Sequence, residues 1–369
     1  RVPERLLMYN QNSTHIFMAL AYQKERNLAL KATIAAAQLC EQVRQAQTSQ
    51  AFVKPDHSPV TIADYGAQAL ICHALQEMFP EDAIVGEEDA DILASPEMET
   101  CLAQVTASLQ SWVEGVKPSQ LLDWIRRGKG ESSDRFWTLD PIDGTKGYVR
   151  GDQYAIALAL IEKGLVQVAV MVCPALPVQF QNNDRESSHP EAKREPHQPI
   201  NPGVAFVAVR GQGAEALSLA DGTRSSLRVN AISTPQGFQL IESVERDHGT
   251  PQWQYQVIRS LGWDVPPMQM DSLAKYGAIA RGEADLYLRL PTGASAERRE
   301  NIWDHAAGVL VLEEAGGRVT DLWGKPLNFG CGSKLLENQG IVASNGQVHE
   351  AVLKAIQDSA IDYQQNILS

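Results

Sequence analysis

A chain of 369 residues that is 44% hydrophobic and 21% charged has the balance of a globular protein, long enough for two domains or one large layered body. Its formal net charge of −13 argues against a nucleic-acid polymer as partner, because holding a phosphate backbone rests on Lys and Arg neutralising it. The five cysteines (Cys40, Cys72, Cys101, Cys173 and Cys331) are scattered and form no C-x-x-C pair, which argues against a disulfide framework and a zinc site and fits a reducing cytoplasm.

No apolar run approaches membrane-spanning length and no leader pattern is visible, so no membrane is expected as partner. From 13 to 45 the residues mix polar and apolar types without Gly or Pro. Ile16, Leu20, Leu28, Leu30, Ile34, Ala37 and Cys40 predict an amphipathic helix, broken near Asn27. A turn over Asp56, His57, Ser58 and Pro59 leads into a helix start that places Asp64 in the first helical turn, with helical spacing continuing over 67–79. On its own, an acid there is a partner for the helix dipole. Ala83-Ile84-Val85-Gly86-Glu87-Glu88-Asp89 reads as a short buried strand ending in an acidic cluster dense enough to repel itself unless a cation sits among the carboxylates. The region 91–130 reads as a surface helical insertion with helical pieces at 101–113 and 121–127.

The most informative stretch follows: Trp137-Thr138-Leu139-Asp140-Pro141-Ile142-Asp143-Gly144-Thr145-Lys146-Gly147. A lone D-x-x-D pair is ordinarily a solvated turn. Here an apolar strand, a rigid Pro turn, a second carboxylate, a glycine and a hydroxyl follow in order. Oxygen ligands suit a hard divalent cation, and an N–H-rich turn at Gly144 and Thr145 suits a phosphate beside it.

Segments 154–161 and 165–172 read as a β-hairpin turning at Lys163-Gly164. From 181 to 202 the composition turns strongly polar, which predicts a loop and a boundary between an N-terminal α+β half (8–181) and a C-terminal α/β half (200–357). Its His189 and His197 read as solvated. The second half alternates strands at 204–209, 226–229, 239–243, 286–290 and 341–343 with helices at 253–261, 273–281, 304–315 and 348–356, a layered α/β pattern. Asn301-Ile302-Trp303-Asp304-His305-Ala306-Ala307-Gly308 places Asp304 at a helix N-terminus, where a carboxylate by itself is an N-cap.

Asp64, Glu87, Asp140, Asp143 and Asp304 thus all fall at strand ends or helix starts. Such a set suits Mg²⁺-assisted hydrolysis of a phosphate ester, in which the cation makes a water nucleophilic and neutralises developing charge. At this point a resemblance enters. The strings Asp140-Pro141-Ile142-Asp143-Gly144-Thr145, Gly86-Glu87-Glu88 and Trp303-Asp304-His305-Ala306-Ala307-Gly308 resemble the three motifs of the lithium-sensitive, Mg²⁺-dependent phosphatases of the inositol monophosphatase and fructose-1,6-bisphosphatase superfamily, over about 54–343. The resemblance implies a layered αβαβα sandwich. It implies that Glu87, Asp140 and the Ile142 carbonyl hold a first Mg²⁺ and that Asp140, Asp143 and Asp304 hold a second, with Glu87 near a weaker third. It further implies that Asp64 and Thr145 activate the attacking water while the Gly144 and Thr145 N–H groups receive the phosphate.

Longer strings narrow the branch. Ser58-Pro59-Val60-Thr61-Ile62-Ala63-Asp64-Tyr65, Thr145-Lys146-Gly147-Tyr148-Val149-Arg150-Gly151, Asp271-Ser272-Leu273-Ala274-Lys275-Tyr276 and Ala284-Asp285-Leu286-Tyr287-Leu288-Arg289-Leu290-Pro291 resemble the 3′(2′),5′-bisphosphate nucleotidases. That branch removes the 3′-phosphate of adenosine 3′,5′-bisphosphate, and its 5′-phosphosulfate analogue is a further candidate substrate. By the resemblance Ser272, Lys275 and Arg289 contact the nucleotide and the two cations serve its 5′-phosphate. His248 fits a base-contacting position, although Gly249 stands where the branch has Ser. A phosphorylated nucleotide is then the small-molecule partner and the chain is expected to act as a monomer. An inositol or sugar phosphatase of the same superfamily would share the metal ligands, and a non-catalytic phosphonucleotide sensor would have no need of the Asp64 and Thr145 pair.

Overall fold

The structure is a computed structural model and describes residues 21–46, 52–54, 59–178, 203–244, 251–263, 266–291 and 299–367. Helix α1, Gln23–Gln45, buries Ala29, Ala32, Thr33, Ala36, Ala37 and Cys40 on one stripe at helical spacing. It runs unbroken through Asn27, contrary to the break expected there: that residue is exposed, so the chain meets only a small propensity cost. The part of the predicted helix before residue 21 lies outside the described residues.

A short antiparallel pair, β1 (Phe52–Val53) and β2 (Pro59–Val60), leads into α2, Ile62–Met78. This helix begins in a capping box: Thr61 accepts from the Ala63 N–H, and the Asp64 carboxylate accepts from the Thr61 N–H. Gly66 lets α1 and α2 approach closely, since a Cβ there would strike Leu39.

A seven-stranded sheet follows in the order β3 (Ala83–Gly86), β4 (Arg135–Asp143), β5 (Ala155–Glu162), β6 (Leu165–Cys173), β7 (Val204–Val209), β8 (Ala214–Ser218) and β9 (Arg224–Ser226). β3 and β4 are parallel and every later neighbour is antiparallel. Between β3 and β4 lie α3 (Ala90–Leu93), α4 (Glu99–Leu109) and α5 (Pro118–Arg126). These are no mere surface insertion: Cys101, Val105, Leu109, Leu121 and Ile125 are buried in the core that α2 shares with the sheet. After β4 comes one short helix, α6 (Thr145–Arg150). The polar segment expected as a boundary falls outside the described residues, and the sheet takes strands from both sides of it.

The second sheet has the order β11 (Met268–Gln269), β10 (Leu240–Glu242), β12 (Leu286–Arg289), β14 (Ile341–Ser344) and β13 (Arg318–Thr320). Its helices are α7 (Pro251–Ser260), α8 (Ala274–Ala280), α9 (Ala306–Glu314) and α10 (His349–Ile367). Strands β8, β11 and β13 have no counterpart in the sequence reading, and β9 falls at Arg224–Ser226 rather than 226–229. Three of these four have two or three residues, too few to display an alternation.

Three cores stack the layers. Trp137, Leu139, Leu158 and Val170 of the large sheet pack on α1 and α2. Its other face, with Phe136, Ala157, Met171 and Phe206, packs on α8 and α9, which are backed by Ile241, Tyr287 and Ala343 of the small sheet. The outer face of that sheet, with Leu240, Leu286 and Val342, packs on Trp253 and Val257 of α7 and Val352 and Ile356 of α10. The result is an αβαβα sandwich, as the resemblance implied. No helix among the described residues is long and apolar enough to cross a membrane.

Candidate active site

The site begins at a bulge. Along β4, Asp140 pairs with Ala157 of β5 but Asp143 pairs with Ala155, so three steps on one strand oppose two on the other. In a regular strand residues three apart face opposite ways. The extra residue, between Asp140 and Asp143 where Pro141 lacks a ladder N–H anyway, reverses that alternation: Trp137 and Leu139 enter the core beneath α2, and so does Ile142. Asp140 and Asp143 are thereby turned to the same side. There they meet Asp304, and carboxylate oxygens of all three lie within 4.8 Å of one another. Asp304 occupies the turn before α9 rather than the N-cap expected for it, which is His305, and the helix starts only at Ala306.

Glu87 follows β3, whose parallel pairing with β4 brings both C-terminal ends to one edge, and its N–H donates to the Leu139 carbonyl at 3.2 Å. Next to it, Glu88 is buried. Gln68 of α2 clamps its backbone from both sides, donating to the Glu88 carbonyl at 2.7 Å and accepting from its N–H at 2.9 Å. Lys54 Nζ reaches Glu88 Oε1 at 2.6 Å and Glu87 Oε1 at 3.3 Å. Burial alone would lower the Lys54 pKa, but Glu87 and Glu88 together hold it above the ordinary lysine value.

Asp64 has its two oxygens assigned separately. Oδ2 accepts from the Thr61 N–H at 2.7 Å and from the Thr61 hydroxyl at 2.6 Å, while Oδ1 faces the Thr145 hydroxyl at 3.2 Å. Thr145 Oγ1 is also 3.2 Å from the Ile142 carbonyl, so its single proton has two acceptors. Gly144 makes this turn with φ 89°, and a Cβ would meet Ser272.

Ser272 itself is left-handed, with φ 67°. The following N–H, of Leu273, donates to Asp143, and Arg150 binds Asp271 at 2.5 Å, so both flanks of Ser272 are fixed. Lys275 is buried and donates to the carbonyls of Met270 (3.3 Å) and Ser272 (2.8 Å). Arg289 pairs with Glu300 at 2.8 Å. His248 lies outside the described residues.

The electrostatics follow from crowding anions in a poorly solvated place. Burial pushes Asp140 well above the carboxylate range, and Glu87, Asp143 and Asp304 push it further. Asp304 moves the same way, through burial and then Asp143, with Arg289 opposing. Burial lifts Asp143 to about 6 against the pull of Lys275 and the Leu273 N–H, and lifts Asp64 to about 6 against the Thr61 hydrogen bond. For Lys275 burial works in the other sense, lowering it to about 8. Three converging carboxylates that repel one another offer hard oxygen ligands, and this donor set fits Mg²⁺.

With this geometry in place, the comparison with known proteins is direct. The model of the inositol monophosphatase family matches residues 21–360. The chain belongs to the inositol monophosphatase family. Within it, the chain is 38% identical over 355 residues to a 3′(2′),5′-bisphosphate nucleotidase of Schizosaccharomyces pombe, covering 91% of this chain and 96% of that one. It is 39% identical over 352 residues to the protein of the same name from Oryza sativa, covering 92% and 95%. Among solved structures of this family, the Thermotoga maritima IMPase aligns with a TM-score of 0.59 at 20% identity, covering 92% of this chain and 99% of that one, a likeness of fold.

The structure of this family member brings Asp64 to Thr145 and gathers Asp140, Asp143 and Asp304. It adds residues the sequence did not single out: Lys54, Gln68 and Glu300. Lys54 and Gln68 act on Glu88 from 34 and 20 residues away, and no spacing rule links such positions.

Proposed function

We propose that the chain is a Mg²⁺-dependent 3′(2′),5′-bisphosphate nucleotidase that hydrolyses the 3′-phosphate of adenosine 3′,5′-bisphosphate to give AMP and phosphate. The observation that carries the reading is a pair of cations, buried Lys275 and half-buried Arg289, close to a group of metal-type carboxylates. A phosphomonoester needs only the metal-type oxygens, whereas a second phosphate needs fixed cations of its own. The name shared by relatives at 38% and 39% identity supports the same substrate.

Asp140, Asp143, Asp304, Glu87 and the Ile142 carbonyl are the oxygens that would hold more than one Mg²⁺. Mg²⁺ when bound supplies a water of lowered pKa and neutralises charge on the phosphoryl and leaving oxygens. The chain's own residues do the rest. Thr61 fixes one oxygen of Asp64, so the other stays aimed at Thr145 Oγ1. A water donating to Thr145 Oγ1 gives up its proton to that oxygen as the threonine proton moves to Asp64 Oδ1, making Asp64 the final base. The N–H groups of Gly144 and Thr145 receive the phosphate under attack. Ser272, Lys275 and Arg289 hold the 5′-phosphate, and a 5′-phosphosulfate fits the same cations. His248 is assigned to the base.

Phosphate release from adenosine 3′,5′-bisphosphate, inositol 1-phosphate and fructose 1,6-bisphosphate, with and without Mg²⁺, tests this. A Mg²⁺-dependent preference for the nucleotide is expected. Preference for either of the others would keep the carboxylate roles and discard those of Ser272, Lys275 and Arg289, and release from none would make the chain a binder.

A further inference from the structure

Arg289 ends β12 with its side chain only 13% exposed, and its guanidinium pairs with the Glu300 carboxylate at 2.8 Å. Behind the same Glu300 oxygen stands His305, whose buried Nε2 lies 3.6 Å away, beyond hydrogen-bond reach, and has no hydrogen-bond partner among the described residues. Its Nδ1 is held by the Tyr276 hydroxyl at 2.8 Å, and both rings are buried. The His305 ring beside Glu300 is thus fixed by its burial and by Tyr276. Asp304, next to His305 in the chain, belongs to two groups of ligand atoms lying within 4.8 Å of one another, one with Glu300 and His305 and one with Asp140 and Asp143.

Arg289 is thus held by a carboxylate that is itself close to the metal-type group. Glu300 holds it at 2.8 Å, and Asp304, which belongs to the metal-type group with Asp140 and Asp143, has an oxygen within 4.8 Å of the Glu300 carboxylate. A guanidinium that turned to Asp304 would occupy oxygens that a divalent cation needs, and a guanidinium so little exposed favours a charged partner. We propose that Glu300 is a positioning residue that anchors Arg289 away from the metal-type carboxylates and keeps it in place for the second phosphate of the substrate. The last part rests on the nucleotidase reading; the anchoring does not.

The test measures Mg²⁺ binding to the full chain by titration calorimetry without substrate, in wild type, Glu300→Gln, Arg289→Met and the double variant, with thermal unfolding of each as the check on folding. Glu300→Gln keeps the shape and removes the charge. It is expected to weaken Mg²⁺ on the order of tenfold, while the double variant binds within about threefold of Arg289→Met, because the loss runs through Arg289. Equal weakening with and without Arg289 would overturn the proposal by making Glu300 part of the cation's own surroundings. No weakening in Glu300→Gln would overturn it too. The double variant leaves no buried unpaired charge, so where the single variant is poorly folded its affinity relative to Arg289→Met decides the matter alone. Since no substrate is present, a preference for inositol 1-phosphate in the release assay would count against the nucleotidase reading and leave this result standing.

Discussion

Asp64 is a carboxylate with one oxygen committed and one at work, which separates its structural and chemical duties. Asp64→Asn preserves acceptance from Thr61 through its amide oxygen but removes the proton acceptor facing Thr145. Turnover is expected to fall on the order of 10³-fold while the affinity for substrate stays near wild type. Single-turnover rates beside equilibrium binding check this, and a matching loss of binding would return Asp64 to a capping role alone. The three aspartates of the metal-type group were legible in sequence because each lies in a short local string. The Lys54 and Glu300 contacts were not, since a charged residue reads as solvated until the fold supplies its partner from a distant segment.

Helix α9 shows the same limit for packing. Its small residues were visible, but what they admit was not: a Cβ on Gly308 would collide with Tyr276, the ring that holds His305. Gly308→Ala is expected to cost about 1–3 kcal/mol by overpacking a buried aromatic, measured by urea unfolding. Where α10 meets the small sheet, His349 is buried with Nε2 2.9 Å from the Thr320 hydroxyl of β13 and Nδ1 2.9 Å from the Ser344 hydroxyl of β14. Burial, then Arg318, lowers its pKa from 6.5 to about 4. Because the folded value is depressed, the unfolded chain takes up a proton first as pH falls. Stability is therefore unaffected by this group above the unfolded value and lost between pH 6.5 and about 4, by about 3 kcal/mol. Wild type should lose more stability than His349→Gln between neutral pH and the lower end of that window, and parallel pH profiles would remove the imidazole from the account.

For the molecule as a whole, runs long enough to display their period predicted a layered α/β body, the order of its layers came from the family resemblance, and the short strands joined only through tertiary pairing. The cost of the site is shared by the entire fold, since the converging carboxylates repel one another until a cation is present. Mg²⁺ is expected to raise thermal stability in a concentration-dependent way, by about 3 kcal/mol at roughly a hundred times its dissociation constant, and EDTA to reverse it. A scan of unfolding temperature against Mg²⁺ that stays flat would remove the cation from this site. The bulge in β4 also bears on how such a chain can change over generations. It is a question of parity, an odd step made even, and side-chain exchange on either side leaves parity intact. Loss of a single codon between Asp140 and Asp143 would not: it would turn one of the two acids to the far side of the sheet and break the site while leaving both in the sequence. Lineages that keep the chemistry should therefore tolerate substitutions at Pro141 or Ile142 far better than any change in the number of residues between the two acids.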